Sequence, residues 1–142
     1  MLGKTMKRRT SHRTSVLLVL AIGVLVVIGC AHDSRSENAR QAIGDKVIII
    51  LASEPDPNSN VISIQDFIRD GEEYVPFFSS KSEFDESTKD VDLGKPVYEI
   101  DRRLFVQTVR SQDTLVLNPG LKSEMTFTGE ELKLIFPEPF PQ

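Results

Sequence analysis

One cysteine, Cys30, and two histidines, His12 and His32, are all that this 142-residue chain holds of the side chains most used in redox, metal and acyl-transfer chemistry. A single thiol excludes an internal disulfide. Beyond His32 there is neither histidine nor cysteine, so a Ser-His-Asp triad, a cysteine nucleophile and a zinc site of the usual type are excluded there. A Gly-rich phosphate loop followed by Lys-Ser or Lys-Thr is missing as well. Basic clusters are equally scarce past residue 29, where Arg102-Arg103 is the only adjacent pair. Counterion release at phosphates needs clustered Lys and Arg, so nucleic acid is not an expected partner, and anionic headgroups have no basic patch to bind. No catalytic, cofactor-binding or metal-binding residue is expected.

The N-terminus carries the strongest signal. Lys4, Lys7, Arg8, Arg9 and Arg13, with no acidic residue among them, precede the apolar run Val16 to Gly29, which ends in Val27-Ile28-Gly29-Cys30. Charge, then an apolar run, then a small residue before cysteine is the order of a bacterial lipoprotein signal. The expectation is cleavage before Cys30, acylation of its sulfur with palmitate-like chains, and attachment to the membrane through those chains, each adding about 0.8 kcal/mol per buried methylene. The alternative is an uncleaved anchor, for which this run falls short of the roughly 20 apolar residues a spanning helix needs. Arg8-Arg9 invites a twin-arginine reading, but Thr10, Ser11 and His12 follow where apolar residues belong, which favours the general secretory route. In a cell with two membranes, Ala31 after the cysteine, rather than aspartate, favours the outer membrane, facing the periplasm.

Removing the leader shifts the charge. Of 17 basic residues five lie in residues 1–29, leaving 12 against 21 acidic ones, a net charge of −9. The expected organisation is a signal peptide over 1–29, a flexible polar tether over 30–44, one domain over 45–136 and a proline-rich tail over 137–142.

Within the domain, Val47 to Leu51 is a short β-branched run suited to a strand buried on both faces, near the sheet centre. Val61 to Ile68 and Glu73 to Phe78 flank Asp70-Gly71, a hairpin signal because both residues tolerate positive φ. A helix over 61–68 is the alternative. Pro76 cannot donate to a ladder, which predicts an edge or bulged strand. Ser80 to Glu83 and Thr128 to Glu131 fit capping boxes. After the second, Leu132, Ile135 and Phe136 fall at helical spacing, and Pro137 stops the helix. Asp101 caps a helix predicted over 102–110, with Leu104, Phe105 and Val109 on its buried face. Strands over 97–100 and 114–117 flank it as a crossover unit. The predicted fold is α+β, a mixed or antiparallel sheet of about five strands with two or three short helices packed on it.

Asn118-Pro119-Gly120 reads as a type II turn after an apolar strand. Together with Tyr74-Val75-Pro76-Phe77-Phe78-Ser79-Ser80, a short helix bearing Phe84, the segment around Leu104-Phe105 and a closing Glu-Leu helix, it resembles the N-terminal domain of the SseB (enhanced serine sensitivity) family over about residues 72–135. The strings are carried by Pro76, Phe77, Ser79, Asn118, Pro119 and Gly120. The resemblance implies a small α/β domain and an association with serine sensitivity and, through the shared name, with secretion-system proteins. It implies no catalytic residues. The resemblance implies a cytosolic protein, and the export signal departs from that.

Carboxylates are the chemistry that remains. Asp85-Glu86, Glu72-Glu73 and Glu130-Glu131 are acid and base candidates in the manner of glycosidases; beside helix starts and a hairpin turn they read first as capping and solubilising residues. Phe77-Phe78 reads as core on one side and as a ligand contact on the other. The expected function is a membrane-anchored, non-enzymatic lipoprotein whose domain binds a protein partner at the cell envelope. A carboxylate-dependent envelope hydrolase and a small-ligand-binding lipoprotein are the alternatives.

Overall fold

The computed structural model describes residues 34–137. Cys30, the leader over 1–29, the first residues of the expected tether and all of the tail after Pro137 lie outside the described residues. The elements in chain order are α1 (residues 34–42), β1 (Lys46–Ile50), β2 (Phe67–Arg69), β3 (Glu72–Phe78), α2 (Lys81–Thr88), β4 (Val97–Asp101), α3 (Arg102–Thr108), β5 (Thr114–Leu117), β6 (Met125–Thr128) and α4 (Gly129–Ile135). They build an α+β sandwich around a six-stranded mixed sheet in the order β4-β1-β3-β5-β6, with β2 paired onto β3. Among the described residues the only parallel pairing is that of β3 with β5, in the register Val75 to Leu115, Pro76 to Val116 and Phe77 to Leu117.

Alternation along the strands sorts their side chains onto two faces. Val47, Ile49, Val75, Phe77, Leu115, Leu117 and Phe127 face a core closed by α1, α3 and α4. Phe77 is its centre, with its ring centroid 4.8 Å from that of Phe105 and 6.4 Å from that of Phe127. On the other face Ile48, Ile50 and Phe78 meet Phe67, Phe84 and Leu93, covered by α2 and the chain after it. Phe84 stands edge-on to Phe78 at 5.1 Å, the arrangement two ring quadrupoles favour.

The helix starts fall where the capping signals put them, with the reciprocal box seen at α4 and the N-cap bond alone at α2. Ser80 accepts the Glu83 N–H and Asp101 the Arg103 N–H. At α4 the box is reciprocal: Thr128 Oγ1 accepts from Glu131, whose carboxylate accepts the Thr128 N–H. Leu132, Ile135 and Phe136 are all buried.

Several expectations are corrected. The stretch expected to be a flexible tether contains α1, because Ala39 and Ile43, one helical turn apart, are 0% and 1% exposed in the main core. The helix count is therefore four among the described residues. Residues 61–66 form neither a regular strand nor the alternative helix; Ile64 makes one bridge to Leu51, and β2 begins only at Phe67. β6, which pairs with β5 from Thr114 opposite Thr128 to Leu117 opposite Met125, was not anticipated. In α3 the buried face is Phe105, Val106 and Val109, while Leu104 is 46% exposed, since the helix turns its 105-109 edge to the sheet.

Pro76 is the most instructive correction. It lies in β3, the middle strand, and not at an edge. The Phe77 carbonyl accepts the Asn118 N–H on the β5 side, so alternation turns the Pro76 backbone the other way. There β2 pairing ends at Tyr74 and β1 pairing begins at Phe77. The missing N–H falls at the handover between two neighbours, where no ladder bond is lost.

Candidate functional site

Next to that handover the second face of the sheet opens into a groove of about 320 Å³, lined by Phe67, Tyr74, Pro76, Phe78, Val91 and Leu93 and rimmed by Arg69, Ser87 and the Pro119-Gly120 turn. Three pieces of local structure shape it.

The first is the β2-β3 hairpin. Asp70 and Gly71 hold φ of 55° and 81°, the pattern of a type I′ turn, whose twist matches that of the strands it joins. Its register sets Phe67 opposite Tyr74, with ring centroids 6.3 Å apart, and Arg69 opposite Glu72. Arg69 lies 5.2 Å from the centre of the Tyr74 ring.

The second is the turn that follows β5. Asn118 adopts φ 47° and Gly120 φ 80°, and the Leu121 N–H donates to the Asn118 carbonyl, so proline and glycine occupy the two central positions as a type II turn requires. Asn118 is buried, at 1% exposure, and its polar groups are satisfied. Oδ1 accepts the Ser79 N–H at 3.0 Å; Nδ2 donates to Ser79 Oγ at 3.0 Å and to Ser123 Oγ at 3.1 Å. One amide thus ties the exit of β3, the approach to α2 and the turn together.

The third is the Arg69 clamp. Arg69 donates to both carboxylate oxygens of Glu124, at 3.0 and 3.1 Å, and Glu124 also accepts the Gly120 N–H at 2.6 Å. The Arg69 hydrogen bonds first, then that of Gly120, hold the Glu124 carboxyl below its usual range, while the same pair raises Arg69. The groove rim is therefore charge-neutral. Ser87 Oγ, donating to the Pro119 carbonyl at 2.5 Å, joins α2 to the same turn.

The residues that carry the two sequence strings thus converge. Pro76, Pro119 and Gly120 line the groove, Ser79 and Asn118 lock its end, and Phe77 points away into the core. Phe78 is the aromatic of the pair that reaches the groove. Arg69 and Glu124 were missed, because a contact between them leaves no mark in local sequence; Tyr74 opens the first family string and lines the groove.

The carboxylate pairs do not gather in this groove. Asp85 and Glu86 are bound by Lys81 and Lys89 along the exposed side of α2, Glu131 caps α4, and Glu72, Glu73 and Glu130 are exposed. A smaller depression of about 220 Å³ holds Asp66, Glu73, Asp113 and Arg110. In it Arg110 Nε donates to Asp113 at 2.9 Å, a bond that raises the guanidinium further above its ordinary value. Among the described residues no three His, Cys, Asp or Glu side chains are grouped to hold a metal, and no helix is long and apolar enough to cross a membrane.

Fold and site define a small α+β sandwich whose parallel strand pair ends in a locked turn beside an apolar groove. The family model described as the SseB protein N-terminal domain matches residues 4–133, and the chain belongs to that family. The match reaches further toward the N-terminus than the resemblance over 72–135, taking in α1 and β1. Neither the curated proteins nor the solved structures compared with it give a match.

Proposed function

We propose that the chain is a membrane-anchored lipoprotein, acylated on Cys30, whose SseB-family domain is a non-enzymatic protein-interaction module at the cell envelope. In a cell with two membranes it faces the periplasm from the outer membrane. The anchor rests on the order of charge, apolar run and cysteine at the N-terminus. The interaction role rests on one observation, the groove: apolar and aromatic side chains on a rigid sheet, with a rim neutralised by the Arg69-Glu124 pair. Such a surface favours apolar contacts over charge, and its partner is a protein segment with exposed apolar side chains.

The groove volume also supports a second reading, a small apolar ligand, since ligand pockets begin at roughly 300 Å³.

Val91 lines the groove yet is 57% exposed, so Val91→Glu places a charge there without burying one in the core. Capture from membranes solubilised in mild detergents is expected to recover a partner with the native chain and to lose it with Val91→Glu. Recovery of nothing across several detergents, or equal recovery with the variant, counts against the reading. For the anchor, Cys30→Ser is expected to leave an unprocessed precursor without acyl label, and continued labelling overturns the assignment.

A further inference from the structure

β4 ends the sheet, paired with β1 alone. The Leu51 N–H donates to the Pro96 carbonyl and the Arg102 N–H to the Asp45 carbonyl, so the backbone at 96 and 102 turns toward β1. Alternation then turns the N–H and carbonyl groups of Val97, Glu99 and Asp101 outward. Among the described residues no backbone bond meets them there.

Free ladder groups invite another strand, and edges are ordinarily blunted by a proline, a bulge or a covering segment. β4 has none of these. No proline interrupts 97–101, the pairing with β1 runs unbroken over all five residues, and only Ile100 among them is not exposed. Of the seven large hydrophobic side chains that stand exposed among the described residues, three, Val97, Tyr98 and Leu104, lie on β4 and the first turn of α3, so the edge is apolar as well as open.

The carboxylates of β4 restrict what can join it. Outward-facing residues must meet outward-facing residues, which for two copies about a two-fold axis leaves two registers that pair most of the strand. One sets Glu99 against Glu99 of the second copy, like charges directly opposite, which is unfavourable. The other sets Tyr98 against Tyr98, Glu99 against Val97, and Asp101 against the exposed Lys95. Every carboxylate then meets an apolar or a cationic side chain, and the central pair is aromatic, both of which stabilise a cross-strand pair.

We propose that β4 is a homodimer interface. A second copy adds its own β4 antiparallel about Tyr98, joining the two sheets through about four backbone hydrogen bonds between Val97 of each copy and Glu99 of the other. Residues opposite each other in such a pair point the same way, so the two grooves open on one face of the joined sheet. A partner with two apolar segments engages both, the second at the high effective concentration that the first contact imposes. The dimer rests on the edge and its register and stands whether or not the groove binds a protein.

The test is sedimentation of the full chain at micromolar concentration, under reducing conditions in a density-matched mild detergent. Twice the mass of one chain is expected, and a single chain overturns the proposal. Glu99→Pro removes an outward N–H that the domain itself does not use, and is expected to give single chains with an unchanged circular dichroism spectrum. A dimer that survives this change overturns β4 as the interface. Cysteine cross-linking decides the matter where proline disturbs the fold. In the proposed register the two Cα atoms at 98 stand about 4.5 Å apart, within disulfide reach, whereas those at 97 are offset by two residues and lie beyond it. Tyr98→Cys is expected to cross-link most chains on mild oxidation, and Val97→Cys and the native chain, whose one thiol is Cys30, are not. Equal cross-linking of the two variants, or none with Tyr98→Cys, overturns the proposal.

Discussion

Asn118 shows how one residue joins two requirements. Its φ of 47° lies where side chains other than Gly, Asn and Asp are strained, and its amide makes three hydrogen bonds to Ser79 and Ser123 in a buried place. Asn118→Gly keeps the backbone and loses the bonds; Asn118→Ala loses both. We expect Asn118→Gly to cost about 2–3 kcal/mol through unpaired buried groups, and Asn118→Ala roughly a further 1 kcal/mol for the left-handed backbone. Urea denaturation of the two variants measures the difference. Equal stabilities would remove the backbone part of the argument. Gly129 is constrained for another reason. A Cβ there would stand 1.9 Å from the Arg110 carbonyl oxygen, because the Gly129 N–H donates to Asp113 and the 110–113 turn lies against the start of α4. Gly129→Ala is expected to destabilise by about 2 kcal/mol or more, since backbone rather than a flexible side chain must move.

Among the elements, the hairpin and the β5-β6 connection are held together by Arg69 and Glu124, and that link depends on pH. The folded protein lowers the Glu124 carboxyl, so its contribution is full above the ordinary carboxylate range and fades as pH falls through the lowered value. Arg69 stays charged throughout. Its side chain is 44% exposed, so solvent screens the pair and the contribution is small. Glu124→Gln is expected to lower the neutral region of a stability-against-pH curve slightly and to match the native chain in strong acid, so that the acid limb becomes shallower. Thr128→Ala removes half of the capping box at α4 and is expected to cost about 1 kcal/mol, read as a lower denaturation midpoint at unchanged slope. The elements legible in the sequence were those with a local cause. Asp70-Gly71 and Asn118-Pro119-Gly120 announced their turns through conformational freedom, and Thr128 with Glu131 announced a helix start through hydrogen bonding. β6 was not legible. Met125 to Thr128 has no long apolar run, and its strand exists because β5 offers it an edge. Pro76 misled for the same reason, since only the meeting of β1 and β2 on one side of β3 shows why a proline is harmless in the middle of a sheet. The groove was half legible: both family strings border it, but the Arg69-Glu124 pair that closes its rim depends on the fold having formed.

On the scale of the molecule, α1 changes what the N-terminal segment does. A residue of a loose tether can be replaced at no measurable cost; Ile43, 1% exposed in the main core, cannot. Ile43→Ala is expected to destabilise the domain by about 2–4 kcal/mol, and calorimetry of the protein checks it. A change within a few tenths of a kcal/mol would return the segment to a tether.

The sheet also has a bearing on timing. Val47 pairs with Ile100, and Val75 with Leu115 across a crossover containing α2, β4 and α3, so the central ladders join residues far apart along the chain. Loops that long are closed before the contacts repay them, which slows folding relative to a domain built of local contacts. If the chain is exported as proposed above, slow closure would be useful, since the sheet cannot be completed until β5 and β6 have emerged on the far side of the channel.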